Sequence, residues 1–252
     1  MLEEMIQIVR EAGEMVRTAR DIEENTHEKS NFADLVTRYD VAVQALVKEK
    51  LLALLPQADF YGEEGEKDAM TKPWRFIVDP IDGTTNFVRH LHYSNTAIAL
   101  AKDGRVEYAV VYDPYADELF SAQRGNGAFC NGRPIHVSDN DVKHALTLCG
   151  STIYDRSYTD WSFSIMRRLY DLGMDYRRFG AAELDFCQVA AGRCEVFFEC
   201  RLNPWDFAAG SLILEEAGGR VTQLDGSPLD VSVPCSVFAT NGRCHSALSQ
   251  LD

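Results

Sequence analysis

Asp79-Pro80-Ile81-Asp82-Gly83-Thr84-Thr85-Asn86-Phe87 follows directly on the apolar run Phe76-Ile77-Val78. The run reads as a buried strand that ends at Asp79 and is stopped by Pro80. Such a strand delivers Asp79 and Asp82 to the rim of a sheet, where two carboxylates can hold a hard divalent cation. Gly83 and Thr84 then open a helix, and unpaired N–H groups at a helix start attract anions. The nonapeptide thus places a cation site beside a phosphate-sized anion site. That pairing suits metal-assisted phosphate-ester chemistry.

Outward from this stretch, apolar residues recur at helical spacing from Leu2 to Ala19, and again from Leu35 to Leu54. The second helix is expected over about 34–55, with Asp34 as its N-cap and Pro56 as its stop. Gly62 to Lys67 forms a charged, glycine-flanked loop after the short strand Phe60-Tyr61, and loops of this composition move. From Ser94 to Ala122 the pattern becomes β: Thr96 to Leu100, a Lys102-Asp103-Gly104 turn, Val106 to Tyr112, then Glu118 to Ala122. Arg124 to Gly127 and Asn131-Gly132 are turns. The second half alternates, with strands near 145–150, 175–179, 194–199, 219–224 and 235–240. Helices are expected over 155–172, 181–192 and 204–218 and at the end. The whole reads as a layered mixed α/β protein, without the regular βαβ series of a barrel.

Composition narrows the function. With 46% hydrophobic and 25% charged residues the 252-residue chain can build a substantial core. A formal charge of −14 gives no general attraction to nucleic acid or acidic membranes, so an anionic substrate needs local help from cations. Arg167, Arg168, Arg177, Arg178, Arg193 and Arg201 read as dispersed, ion-paired surface charge. The seven cysteines never fall as Cys-x-x-Cys, which fits reduced thiols in the cytoplasm, and no run reaches membrane-spanning length. Glu3 and Glu4 break any signal-peptide pattern. His90 and His92 lack partners at metal-site spacing and read as surface or packing residues.

Further acids stand at Asp40, Glu63, Glu64 and Asp206, the last in the first turn after Pro204. Together these stretches resemble the inositol monophosphatase family of magnesium-dependent, lithium-sensitive phosphatases, over nearly the whole chain. The resemblance rests on Asp34 to Asp40, Gly62-Glu63-Glu64, Asp79 to Phe87, Gly125 to Gly132, and Trp205 to Gly210 followed by Glu216 to Gly219. It implies one domain over 1–252, an αβαβα sandwich of the inositol monophosphatase and fructose-1,6-bisphosphatase type. Two intimately packed halves, about 1–145 and 146–252, would make up that domain, usually assembled as a homodimer.

The resemblance also implies roles. Glu63, Asp79 and the Ile81 carbonyl would hold one magnesium ion, and Asp79, Asp82 and Asp206 a second, with a weaker third ion beside Glu63. Gly83 and Thr84 would bind phosphate. Water activated by magnesium would attack phosphorus in line, with no phosphoenzyme, the second magnesium stabilising the leaving alkoxide. Whether Glu63 takes the water's proton, or Thr84 relays it to Asp40, stays open. Glu199, Asp82, Ala182 and Asp206 would receive the substrate, a small polyol or sugar phosphate such as inositol-1-phosphate, with Gly180 and Ala181 beside them. Ala181 and Glu183 depart from the family pattern, and Glu183 would either face solvent or add a second acceptor for hydroxyls.

Alternatives remain. Asp82-Gly83-Thr84 also resembles the end of the haloacid-dehalogenase motif, but there the two acids are two apart and here they are three apart with Pro80 between. Within the magnesium-dependent superfamily, fructose-1,6-bisphosphatase, nucleotide 2′- or 3′-phosphatase and histidinol-phosphatase activities use the same ligands. A bisphosphate needs a second basic site, and no pair of basic residues in the sequence clearly supplies one. A non-enzymatic role on the transcription machinery is the alternative of a different class, since some bacterial relatives have it.

Overall fold

The computed structural model describes residues 1–23, 26–28, 35–65, 71–150 and 155–250. Alternation along strand β4 (Trp74–Asp82) sets the layering, because its buried side chains divide between two cores. Phe76 and Val78 face helices α1 (Leu2–Arg17) and α2 (Arg38–Leu54), together with Met5, Val9, Val43 and Val47. Ile77 faces the opposite way, toward helices α5 (Ala182–Ala190) and α6 (Ala208–Glu216). Strand β5 (Asn95–Lys102) repeats the division, with Ile98 and Leu100 toward α1 and α2 and Ala97, Ala99 and Ala101 toward α5 and α6. Alanines on that inner face keep the sheet surface low, so the helices can lie close against it.

The larger sheet has seven strands in sequential order, β3 (Asp59–Gly62), β4, β5, β6 (Arg105–Asp113), β7 (Glu118–Gln123), β8 (Ala128–Cys130) and β9 (Arg133–Ile135). Only β3 and β4 run parallel. On the far side of α5 and α6 lies a five-stranded sheet. Its strands are β10 (Leu146–Cys149), β11 (Asp175–Arg177), β12 (Val196–Leu202), β13 (Arg220–Thr222) and β14 (Cys235–Thr240), in the order β11-β10-β12-β14-β13. Helix α4 (Thr159–Leu172) covers its outer face through Ile165 and Leu169 against Val196, Phe198 and Phe238. The order of layers is therefore α1 and α2, sheet, α5 and α6, sheet, α4: an αβαβα sandwich.

Several boundaries differ from the sequence reading. Helix α2 starts at Arg38 and is capped by Thr37, whose N–H and hydroxyl both bond Asp40 Oδ2, at 2.8 and 2.6 Å. Asp34, expected as the cap, lies outside the described residues, as do Glu66 and Lys67 of the charged loop. Strand β4 does not stop at Pro80 but continues to Asp82 through an irregularity in its pairing. The helix expected over 204–218 divides into a 3-10 turn, Pro204–Asp206, and α6. The terminal helix, Arg243–Gln250, is also 3-10. Strands β8 and β9, which follow the expected turns at 124–127 and 131–132, and β1 (Thr26–Glu28) with β2 (Leu35–Thr37) are three residues each. Pairing with a neighbour, rather than any pattern of their own, makes them strands.

Candidate active site

The site forms where β4 ends. Asp79 pairs with Ala97 but Asp82 pairs with Asn95, so β4 carries one extra residue between the two acids. Residues three apart on a regular strand face opposite sides; a bulge re-aims the second. Both carboxylates consequently line one cavity of about 340 Å³. Pro80 sits in the bulge, where its missing N–H costs no ladder bond, and its carbonyl accepts the Thr96 hydroxyl at 2.8 Å. Gly83 follows at φ +82°, and an added Cβ there would stand 3.0 Å from both Ala181 Cβ and the Tyr93 carbonyl. From this left-handed cap springs the short helix α3 (Thr84–Val88).

Asn86 in α3 donates its amide hydrogens to the Tyr93 and Phe179 carbonyls, both at 2.8 Å, which ties α3 to the segment before α5. Thr84 Oγ1 lies 3.1 Å from the Ile81 carbonyl and 3.3 Å from Asp40 Oδ1. Its single proton serves one of these acceptors at a time. Asp40 itself is wholly buried behind Thr84 and does not line the cavity. Glu63 reaches the cavity from the end of β3. Gln44 holds that loop by bonding the Glu64 backbone at both ends, 2.8 Å to its N–H and 2.6 Å to its carbonyl.

The facing wall comes from the second half of the chain. Asp82 accepts the Ala182 and Glu183 N–H groups at 3.0 and 2.8 Å and the Asn95 amide at 2.7 Å. It caps α5, whose own N-cap residue, Ala181, has no acceptor. Asp206 projects from the 3-10 turn and is anchored by the Asn203 N–H at 2.7 Å. Glu199 comes from β12 past Gly150, where any Cβ would collide with its Oε2 at 1.8 Å. Asp185, bonded by the Tyr93 hydroxyl at 3.0 Å, adds another acid.

So many carboxylates in one buried place raise one another. Burial first, then Glu63, Asp82 and Asp206, holds the Asp79 carboxyl well above the usual range. Asp206 is raised well above it by burial and Glu63, against the opposing bond from Asn203. Asp82 is also raised by burial, while bonds from Asn95 and the start of α5 pull it back. Asp40 is pushed up to about 7 and Glu199 to about 8, both chiefly by burial.

A divalent cation fits this donor set. Every candidate ligand is oxygen, as magnesium requires. Asp79 Oδ1 is buried with no hydrogen-bond partner, a costly arrangement unless something else satisfies it. As the side chains stand, no three His, Cys, Asp or Glu residues among those described close into a ready-made ligand group. The acids line the cavity near enough to raise one another, and the charge of a cation would offset their repulsion.

Of the residues given catalytic, metal or substrate roles from the sequence, all but Asp40 line this cavity: Glu63, Asp79, Ile81, Asp82, Gly83, Thr84, Ala182, Glu199 and Asp206. Ala181 is fully buried beneath it. Two expectations for Glu183 fail. Glu183 is 1% exposed, faces neither solvent nor cavity, and accepts the Ala209 N–H at 3.1 Å and the Gly210 N–H. Arg178 is not simply dispersed surface charge: it lines the cavity, as does Arg89. Arg167 and Arg177, by contrast, do pair with Asp171 and Asp175. His92 stacks on Tyr115, a packing role. Asp185 was also missed, although an acid between Leu184 and Phe186 in the mostly apolar run 181–191 was a signal.

The chain matches the model of the inositol monophosphatase family over residues 1–251. It is 38% identical over 231 residues to Nus factor SuhB of Escherichia coli (strain K12), covering 90% of this chain and 86% of that one. The fructose-1,6-bisphosphatase/inositol-1-monophosphatase of Thermotoga maritima is 34% identical over 241 residues, 95% of this chain and 91% of the relative. Among solved structures, extragenic suppressor protein suhB from Bartonella henselae superposes with a TM-score of 0.91 at 32% identity, covering 99% and 96% of the two chains. With its layers, its cavity and its full-length match, the chain belongs to the inositol monophosphatase family.

Proposed function

We propose that this protein is a magnesium-dependent phosphomonoesterase acting on inositol-1-phosphate or a similar small polyol or sugar phosphate. The observation that carries the reading is the partnerless Asp79 Oδ1, buried at a cavity whose candidate cation ligands are all oxygens, beside the start of α3. Glu63, Asp79 and the Ile81 carbonyl would hold one magnesium, and Asp79, Asp82 and Asp206 another. Bound magnesium supplies the activation of water for in-line attack on phosphorus and neutralises the phosphate charge. Gly83 and Thr84 receive the phosphate at the opening of α3. Thr84 passes its proton to Asp40 Oδ1, 3.3 Å away, as it takes up the proton shed on its cavity side, and an Asp40 carboxyl near 7 suits that exchange. Glu199, on the opposite wall, accepts the substrate hydroxyls.

Phosphate release from inositol-1-phosphate by purified protein, with magnesium and with a chelator, tests this reading. Magnesium-dependent turnover supports it; none from folded, magnesium-loaded protein on any polyol or sugar phosphate overturns it. A bisphosphate is the second substrate reading, favoured by Arg89 and Arg178 at the same cavity and by the name of the Thermotoga relative. Fructose-1,6-bisphosphate in the same assay separates the two. The Nus factor name of the Escherichia coli relative favours a transcription-machinery role. Rescue of a deletion phenotype by the inactive Asp82→Asn variant would identify that role here.

The proposal extends to a homodimer, supported by Trp161, Phe163, Tyr170, Met174 and Tyr176, exposed apolar side chains on α4 and around β11. It also extends to a cytoplasmic location, in keeping with seven free thiols. No described helix is long and apolar enough to cross a membrane.

A further inference from the structure

Helices α5 and α6 share a defect. Their N-cap residues, Ala181 and Phe207, carry no side-chain acceptor for the open N–H groups of the first turn. Each is capped instead by a carboxylate from elsewhere. Asp82 takes the start of α5, and Glu183, which rides on α5, takes the start of α6. The two caps are consecutive links, because the Glu183 N–H donates to Asp82 at 2.8 Å while its side chain receives Ala209 and Gly210. Immediately before α6 stands the turn that carries Asp206. The packing admits the second link only because residue 210 is glycine; a Cβ there would meet Glu183 Oε2 at 2.6 Å and Phe186 Cβ at 2.5 Å.

We infer that Glu183 is a positioning residue for the cation site, setting the separation of Asp206 from Asp82 by locking α6 to α5. The inference rests on the reading of Asp82 and Asp206 as cation ligands. Glu183 itself lies outside the cavity, so it acts through the helices and not by touching substrate or metal. Residues that orient metal ligands from behind commonly set affinity as strongly as some ligands do.

The test is magnesium titration calorimetry on the full-length protein, with manganese binding followed by electron paramagnetic resonance as a second readout. Glu183→Gln keeps the side-chain shape but turns an NH2 group toward one of the two donors. It is expected to weaken magnesium binding about 10- to 100-fold, and Glu183→Asp to weaken it less. Glu195→Gln is the matched control. Glu195 is also buried, accepts the Leu146 N–H at 2.7 Å with Ser138 and Asn140 at 2.8 and 2.9 Å, and does not line the cavity. That variant is expected to melt at a lower temperature with wild-type magnesium affinity. Wild-type affinity in a folded but less stable Glu183→Gln protein would overturn the inference. If Glu183→Gln fails to fold, wild-type affinity in Glu183→Asp overturns it instead. Absence of saturable magnesium binding by the unaltered protein would overturn the ligand assignment of Asp82 and Asp206, and this inference with it.

Discussion

The Glu183 N–H lies 2.8 Å from Asp82 Oδ2, joining the end of β4 to a helix a hundred residues later in the chain. Asp82 therefore has two tasks, holding α5 and facing the cavity. Asp82→Asn leaves one amide NH2 opposed to backbone donors, and is expected to cost about 1–3 kcal/mol of stability. Phosphate release should fall about 100-fold or more. Chemical unfolding and a magnesium-dependent phosphate assay on the same preparation check both.

Asp79 differs, because its Oδ1 has no partner to lose. Asp79→Asn removes a crowded buried acid, so metal-free protein should melt no lower than wild type, and higher if relief of repulsion dominates. The magnesium response separates the two proteins. Wild type should gain about 2.7 kcal/mol with magnesium a hundredfold above its dissociation constant, and Asp79→Asn should gain nothing. Calorimetric scans with and without magnesium measure this.

Stability of the metal-free protein should fall as pH rises from about 6.5 to 8.5. Asp40 and Glu199 are raised in the fold, to about 7 and about 8, so there they retain protons that the unfolded chain has already released. With more protons bound in the native state, stability declines with pH until each folded value is passed. His245, depressed to about 4, has the opposite sign, but its window closes near its ordinary value of 6.5. Melting temperatures in chelator across this range test the sign; a rise would contradict it. Magnesium should flatten the decline by stabilising the ionised acids.

Gly150→Ala probes substrate recognition without touching an acid. The new Cβ would fall 1.8 Å from Glu199 Oε2, and the flexible carboxylate must swing away. KM for a polyol monophosphate should rise about tenfold, the value of one charge-assisted hydrogen bond, with kcat little changed. Steady-state kinetics at saturating magnesium distinguish this from a general loss of activity.

Much of the site was legible because its parts are local. Asp79, Asp82, Gly83 and Thr84 fall within six consecutive positions, and a strand ending in a left-handed glycine before a helix is written in residue types. Thr37 with Asp40, a capping box closed within four residues, was equally local, yet Asp34 was read as the cap in its place. Less local features were misread. Pro80 looked like a stop, yet the strand passes it because a bulge needs no ladder N–H there. Glu183 looked like a solvent or substrate group because nothing near it in sequence shows that the start of α6 lies against it.

By itself the amino-acid sequence determined the periods of the main helices and strands, their layered class, and the acid-rich motif at the end of β4. Those follow from local backbone preferences and from which side chains must leave water. Only the tertiary structure decided that Asp82 caps α5, that Glu183 caps α6, and that Arg89 and Arg178 share a cavity with six carboxylates. The physical reason is that a carboxylate can satisfy any helix start within reach. Which start comes within reach is settled by how two sheets pack about the helices between them, a long-range outcome with no periodic trace in the chain.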